Sequence, residues 1–106
     1  MYHIDITEPA EQDIQAAANY ISKELKNSVA ADRLLDAVDE VICSLEELPL
    51  RYALVNDDAL ANRGFRFFPV RNYLVFYIVR EKTKTVVIER FLYGGRDWIS
   101  ILQGKA

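Results

Sequence analysis

The residues of this chain best equipped for chemistry are four arginines and a tyrosine of its C-terminal half, Arg66, Arg71, Arg90, Arg96 and Tyr93. A guanidinium offers a planar fork of donors to a phosphate or a carboxylate, but it stays protonated and makes a poor general base. Cleavage of RNA by its own ribose 2′-hydroxyl needs a group to take that proton, another to protonate the leaving oxygen, and positive charge for the phosphate. Arg66, Arg71, Arg90 and Tyr93 are the set this chain could bring to such a reaction, with Tyr93 as acid or positioning group. A base is harder to find. The one histidine, His3, stands in the first strand as a surface or satisfied residue, and Lys82 and Lys84 fall in a turn rather than in the buried setting that makes a lysine a base. No residue is assigned as catalytic on these grounds.

Each candidate also has a plainer use. Arg90 sits beside Glu89 inside a strand and could pair with an acidic side chain of the helices, while Arg71 could be a solvated turn charge. Arg96, next to Gly94 and Gly95 and just before a helix cap, is the arginine best placed to be exposed and to bind something. The glycine pair lacks the spacing and the lysine of a phosphate-binding P-loop. Trp98 is either an interface anchor beside Arg96 or the residue that closes the core over the sheet. Phe65, Phe67, Tyr73, Phe76, Tyr77 and Phe91 are strand aromatics expected mainly in the core. The single cysteine, Cys43, has no partner for an internal disulfide and, with one histidine present, none for a structural zinc site. It is expected as a core thiol. No metal or cofactor is expected.

The elements that must hold these side chains follow from periodicity. Tyr2, Ile4 and Ile6 alternate with His3 and Asp5, the pattern of a half-buried strand. Thr7 and Pro9 then open a helix over residues 9–25, with Ile14, Ala17, Ala18, Ile21 and Leu25 on one face. Lys26-Asn27-Ser28 interrupts it and caps a second helix, whose Leu34, Val38, Val41, Ile42, Leu45 and Leu48 recur three or four apart until Pro49. So short a gap implies an antiparallel hairpin. Residues 49–63 are a loop or contain a helical turn near Asp57. Strands over 65–70, 73–79 and 85–92, joined by short turns, form an antiparallel meander; Pro69 marks an edge, and the apolar run 73–79 marks a central strand covered on both faces. Asp97 caps a short terminal helix. The order β-α-α-β-β-β-α, with the helical hairpin on one face of the sheet, is an α+β fold.

Charge divides this chain of 106 residues. Residues 1–62 hold 13 acidic side chains against 4 basic ones, a net of −9; residues 63–106 hold 9 basic against 3 acidic, a net of +6, and the total is −3. One part thus suits anions or an acidic partner and the other repels them. The length fits one domain, 1–106. The longest apolar run is far short of a membrane span and the N-terminus lacks the pattern of a signal peptide, so a cytoplasmic protein with no membrane partner is expected.

Leu48-Pro49-Leu50-Arg51-Tyr52, Gly64-Phe65-Arg66, Val70-Arg71-Asn72-Tyr73-Leu74-Val75-Phe76-Tyr77 and Val87-Ile88-Glu89-Arg90-Phe91-Leu92-Tyr93-Gly94-Gly95-Arg96-Asp97-Trp98, in that order, resemble the ParE/RelE toxin superfamily over essentially the whole chain. The resemblance implies a single RelE/ParE-like domain and a cytoplasmic, growth-inhibiting toxin of a type II toxin–antitoxin (plasmid stabilisation) module. A cognate antitoxin would neutralise it, in a toxin–antitoxin hetero-oligomer. ParE-like members poison DNA gyrase; RelE-like members enter the ribosome and cut mRNA. RelE-type enzymes carry lysines on the strand matching 65–70 and an arginine early in the next, where this chain has Arg66 alone and then Leu74. A ParE-like gyrase poison is therefore expected. The alternatives are a ribosome-dependent mRNA endonuclease and an inactive toxin that serves only as a binding module. Antitoxins of this kind end in acidic or amphipathic segments that fold on the toxin. The resemblance thus makes Arg66, Arg71, Arg90, Tyr93, Arg96 and Trp98 candidates for binding target or antitoxin, with Tyr20 and Lys23 a second antitoxin contact on the helices.

Overall fold

A computed structural model describes residues 1–104. Strand β1 (His3–Ile6) leads into helix α1 (Glu8–Asn19), which continues as a π-helical turn (Tyr20–Glu24). Helix α2 (Ser28–Ser44) returns antiparallel, and a short α3 (Asp58–Asn62) precedes β2 (Arg66–Val70), β3 (Tyr73–Arg80), β4 (Thr85–Tyr93) and α4 (Trp98–Leu102). Side chains fix where the helices begin. The Thr7 hydroxyl accepts from the Ala10 amide at 3.1 Å, Asn27 from Ala30 at 3.0 Å, Asp57 from Leu60 at 3.1 Å and Asp97 from Ser100 at 3.3 Å. Each cap satisfies an amide that the first helical turn leaves without a partner.

The strands run in the order β1-β4-β3-β2. β2, β3 and β4 form the expected antiparallel meander, while β1 joins the far side of β4 in parallel. β3 is central, and its alternation feeds two cores. Val75 and Tyr77 pack with Ala17, Leu34, Val38, Val86 and Ile88 under the α1–α2 hairpin. Phe76 packs with Leu60, Phe65, Leu92 and Leu102 beneath α3 and α4 on the opposite face. Pro69 lies on the edge strand β2, where its missing amide proton removes no ladder bond. The start of that edge is covered by the preceding loop, with Val55 donating to the Phe65 carbonyl at 3.0 Å and Phe67 to the Ala53 carbonyl at 3.3 Å.

Three apolar positions depart from the periodic reading. α2 ends at Ser44 instead of running to Pro49, so Leu48 leaves the core face and is 61% exposed. Leu25 lies past the end of α1, where the π turn has shifted the helical phase, and is 57% exposed. Cys43 is exposed, not a core thiol, because Leu34, Val38, Ile42 and Leu45 take the buried face of α2.

Candidate functional site

The tip of the helical hairpin, the β2–β3 turn and the end of β4 enclose a cleft of about 670 Å³. Tyr20, Ile21 and Leu25 line one wall; Ala30, Arg33 and Leu34 of α2 line the next; Arg71, Asn72, Tyr73 and Tyr93 complete it from the sheet. Local backbone features build these walls. The π turn, closed by the Leu25 amide on the Tyr20 carbonyl at 3.2 Å, carries Tyr20 and Ile21, and π turns are frequent at functional sites. Arg71 holds a left-handed φ of 57° in the two-residue β2–β3 turn. The Gly94 amide donates to the Asn72 carbonyl at 2.8 Å and ties the end of β4 to that turn.

The tyrosines are packed against one another. Tyr73 and Tyr93 are cross-strand partners, with Tyr73 stacked on Phe91 at 4.8 Å and edge-on to Tyr93 at 5.9 Å between ring centroids. A Cβ at Gly95 would stand 2.9 Å from the Tyr93 ring, so only glycine lets that ring lie where it does. Burial, and after it the neighbouring Tyr20 and Tyr93, raise the Tyr73 pKa and keep its phenol neutral. The cleft is lined by two guanidiniums, three phenols, one amide and aliphatic carbon. Among the described residues that line it there is no carboxylate, imidazole, amine or thiol. Such a lining can bind an anionic and apolar partner, but it supplies no ordinary proton acceptor. Neither Arg33 nor Arg71 forms an ion pair among the described residues.

A family profile described as the ParE toxin of the type II toxin–antitoxin system, parDE, matches residues 4–98. The chain belongs to the ParE toxin family. Solved structures share its fold at low sequence identity. A chain of a chromosomal ParDE toxin–antitoxin system from P. aeruginosa superposes with a TM-score of 0.70 at 17% identity, covering 88% of this chain and 96% of the other. A chain of the RelBE2 toxin–antitoxin complex from Mycobacterium tuberculosis gives 0.64 at 22% identity, with coverage of 87% and 96%. The isolated E. coli RelE toxin gives 0.57 at 14% identity, with coverage of 99% and 97%. No curated protein sequence matches significantly.

Within this ParE-family chain the sequence candidates separate. Tyr20, Arg71 and Tyr93 meet in the cleft. Lys23 is exposed on the same π turn but does not line it. Arg66 donates to the Tyr52 carbonyl at 2.6 Å, bracing the loop before α3. Arg90 takes the plainer of its two uses: its Nε and Nη2 donate to Asp13 of α1 at 2.6 and 2.9 Å, and the same carboxylate accepts the Phe91 amide at 3.1 Å. The Asp13 hydrogen bond raises the Arg90 pKa further, so no proton leaves that guanidinium. Trp98 is half-buried and packs on Phe76 at 5.2 Å between centroids, which closes the second core. Arg96 is exposed before α4, with its amide on the Tyr93 carbonyl at 3.0 Å, and is not among the residues that line the cleft. Arg66, Arg71, Arg90 and Tyr93 therefore do not converge as a set. His3 hydrogen-bonds Asp5 at 3.0 Å on the exposed β1.

Sequence reasoning missed Arg33, Ile21, Leu25 and Asn72 as cleft residues. Arg33 was the legible one, a lone cation in the first turns of an otherwise acidic helix. Among the described residues no group of three His, Cys, Asp or Glu could hold a metal, and no helix is long and apolar enough to cross a membrane.

Proposed function

We propose that this ParE-family toxin acts in the cytoplasm as a single domain on DNA gyrase, by binding rather than by bond chemistry of its own, and that a cognate antitoxin neutralises it. The observation that carries the reading is the cleft itself, rich in arginine and tyrosine and, among the described residues, without a carboxylate, imidazole or amine to take a 2′-hydroxyl proton. Two of the three arginines that a nuclease would use, Arg66 and Arg90, are engaged inside the fold, on Tyr52 and Asp13. Neutralisation by a partner protein is supported by the solved relatives, which are toxin–antitoxin systems and complexes. The cleft, with Tyr20, Arg71, Tyr93 and Arg33, is our candidate surface for the antitoxin, flanked by Lys23; Arg96 and Trp98 are candidate contacts for either the target or the antitoxin.

The test is a supercoiling assay with purified toxin and gyrase, run beside a translating ribosome extract supplied with labelled mRNA. Inhibited supercoiling with intact mRNA is the expected result. Cut mRNA with unaffected gyrase overturns it in favour of an endonuclease, and a protein that does neither yet binds its antitoxin is an inactive binding module.

A further inference from the structure

A second groove, of about 370 Å³, opens between the first half of α1 and the middle of α2 and shares no residue with the cleft. Its floor is apolar, formed by Ile6, Ile14, Leu35 and Ile42. Its rim carries the carboxylates of Glu11, Asp36 and Asp39, none of them in an ion pair among the described residues. Beside the groove runs β1, an edge strand of the sheet. The amides of His3 and Thr7 point at β4, bonding Lys84 and Ile88 carbonyls at 2.8 and 3.1 Å. Strand alternation then turns the amides and carbonyls of Ile4 and Ile6 to the open side. The Tyr2 amide, also on that side, is taken by the Glu46 carbonyl at 2.8 Å, which stops the cover one residue short of Ile4. Ile6 at 43% exposure is left at the junction of edge and groove.

We propose that this junction, and not the arginine cleft, receives the target: an extended basic segment that adds to β1 as a further strand, sets an apolar side chain beside Ile6 and meets the rim carboxylates with lysine or arginine. This rests on the gyrase reading, because proteins that handle DNA carry the Lys/Arg-rich surfaces that phosphates require. An unpaired edge supplies main-chain hydrogen bonds, and alternate side-chain pockets supply selectivity. The chemistry of the two surfaces is complementary to opposite partners. The cleft suits an acidic segment and the groove a basic one.

The probe is a fluorescein-labelled eight-residue peptide of alternating lysine and valine, titrated into the full-length toxin by fluorescence anisotropy, with an alternating glutamate and valine peptide as control. Binding of the basic peptide only is expected, with amide hydrogen exchange slowed at Ile4 and Ile6. The double variant Asp36→Asn/Asp39→Asn, both exposed positions, should bind the probe at least fivefold more weakly with unchanged thermal unfolding. No binding, equal binding by the variant, or binding without protection of Ile4 and Ile6 overturns the proposal. In the supercoiling assay the same variant should lose potency about tenfold. Wild-type inhibition matched by the variant removes the groove as the target surface and leaves the gyrase reading intact. Wild-type protein that fails to inhibit gyrase removes that reading, and the peptide titration still decides what the groove takes.

Discussion

Removing the Asp13 carboxylate should cost more stability than any other single change of a charged side chain in this chain. Asp13 gathers three donors, Arg90 Nε at 2.6 Å, Arg90 Nη2 at 2.9 Å and the Phe91 amide at 3.1 Å, and so joins α1 to β4 across 77 positions of sequence. It does so beside the point where β4 departs from regular register: Tyr77 faces Ile88 but Phe76 faces Arg90, leaving Glu89 without a partner. Stripping one member from a fully buried ion pair costs about 3–5 kcal/mol. Here the side chains of Arg90 and Asp13 keep 27% and 15% exposure, so water can reach the abandoned guanidinium. We therefore expect about 2 kcal/mol for Asp13→Ala, or roughly 8–16 °C in Tm for a domain of this size. Asp13→Asn retains an acceptor for the Phe91 amide and should cost about 1 kcal/mol. Urea unfolding measures both, and a double-mutant cycle with Arg90→Met should return a coupling of about 1–2 kcal/mol. An Asp13→Ala protein within about 0.5 kcal/mol of wild type would refute the claim that this pair fixes helix to sheet.

The fully buried Tyr77 donates its hydroxyl to the Pro49 carbonyl at 2.9 Å, and burial pushes its pKa up from 10.0 to about 12. The folded state then holds the proton more tightly than the unfolded one, so stability is flat below pH 10 and falls by up to about 1.4 kcal/mol per pH unit between the two values; Tyr77→Phe should lower stability at neutral pH by about 1 kcal/mol and flatten that alkaline loss, as urea midpoints across pH will show. Arg71→Gly should relieve about 1 kcal/mol of left-handed backbone strain while weakening antitoxin binding about tenfold, a split read by thermal unfolding beside calorimetric titration; parallel loss of both would mean Arg71 only shapes the turn. Gly95→Ala, whose methyl would meet the Tyr93 ring, should change antitoxin affinity with less than about 0.5 kcal/mol of stability, because Tyr93 is half exposed and its ring can swing away.

Much of this architecture was legible because its signals are local. Thr7, Asn27 and Asp97 cap the helices they precede, and Pro69 marks the edge strand, whereas the sequence leaves the turn that Asp57 caps open between loop and helix. Partnerships across long sequence distances were not legible. Nothing near Arg90 says that Asp13 will be its acceptor, nor anything near Arg66 that it will hold the Tyr52 carbonyl. The parallel seat of β1 beside β4 is equally a tertiary result, since a four-residue alternation cannot name its neighbour. The cleft was half visible: Tyr20, Arg71 and Tyr93 stood out by type, while Leu25 was assigned to the core because a π turn cannot be read from helical periodicity.

The same distinction bears on the target. This backbone superposes on a ParDE chain at a TM-score of 0.70 and on RelE at 0.57, so its sheet and hairpin are shared by both branches and the fold by itself does not choose between them. On the reading proposed above, what separates the branches is which side chains the shared frame leaves free. Here Arg66 and Arg90 are absorbed into bracing the loop and the helix, whereas among the described residues Arg33 and Arg71 form no ion pair and the cleft they line has no base. On that same reading, a frame that uses two of its sheet arginines for its own stability has turned from phosphodiester cleavage to holding a protein partner.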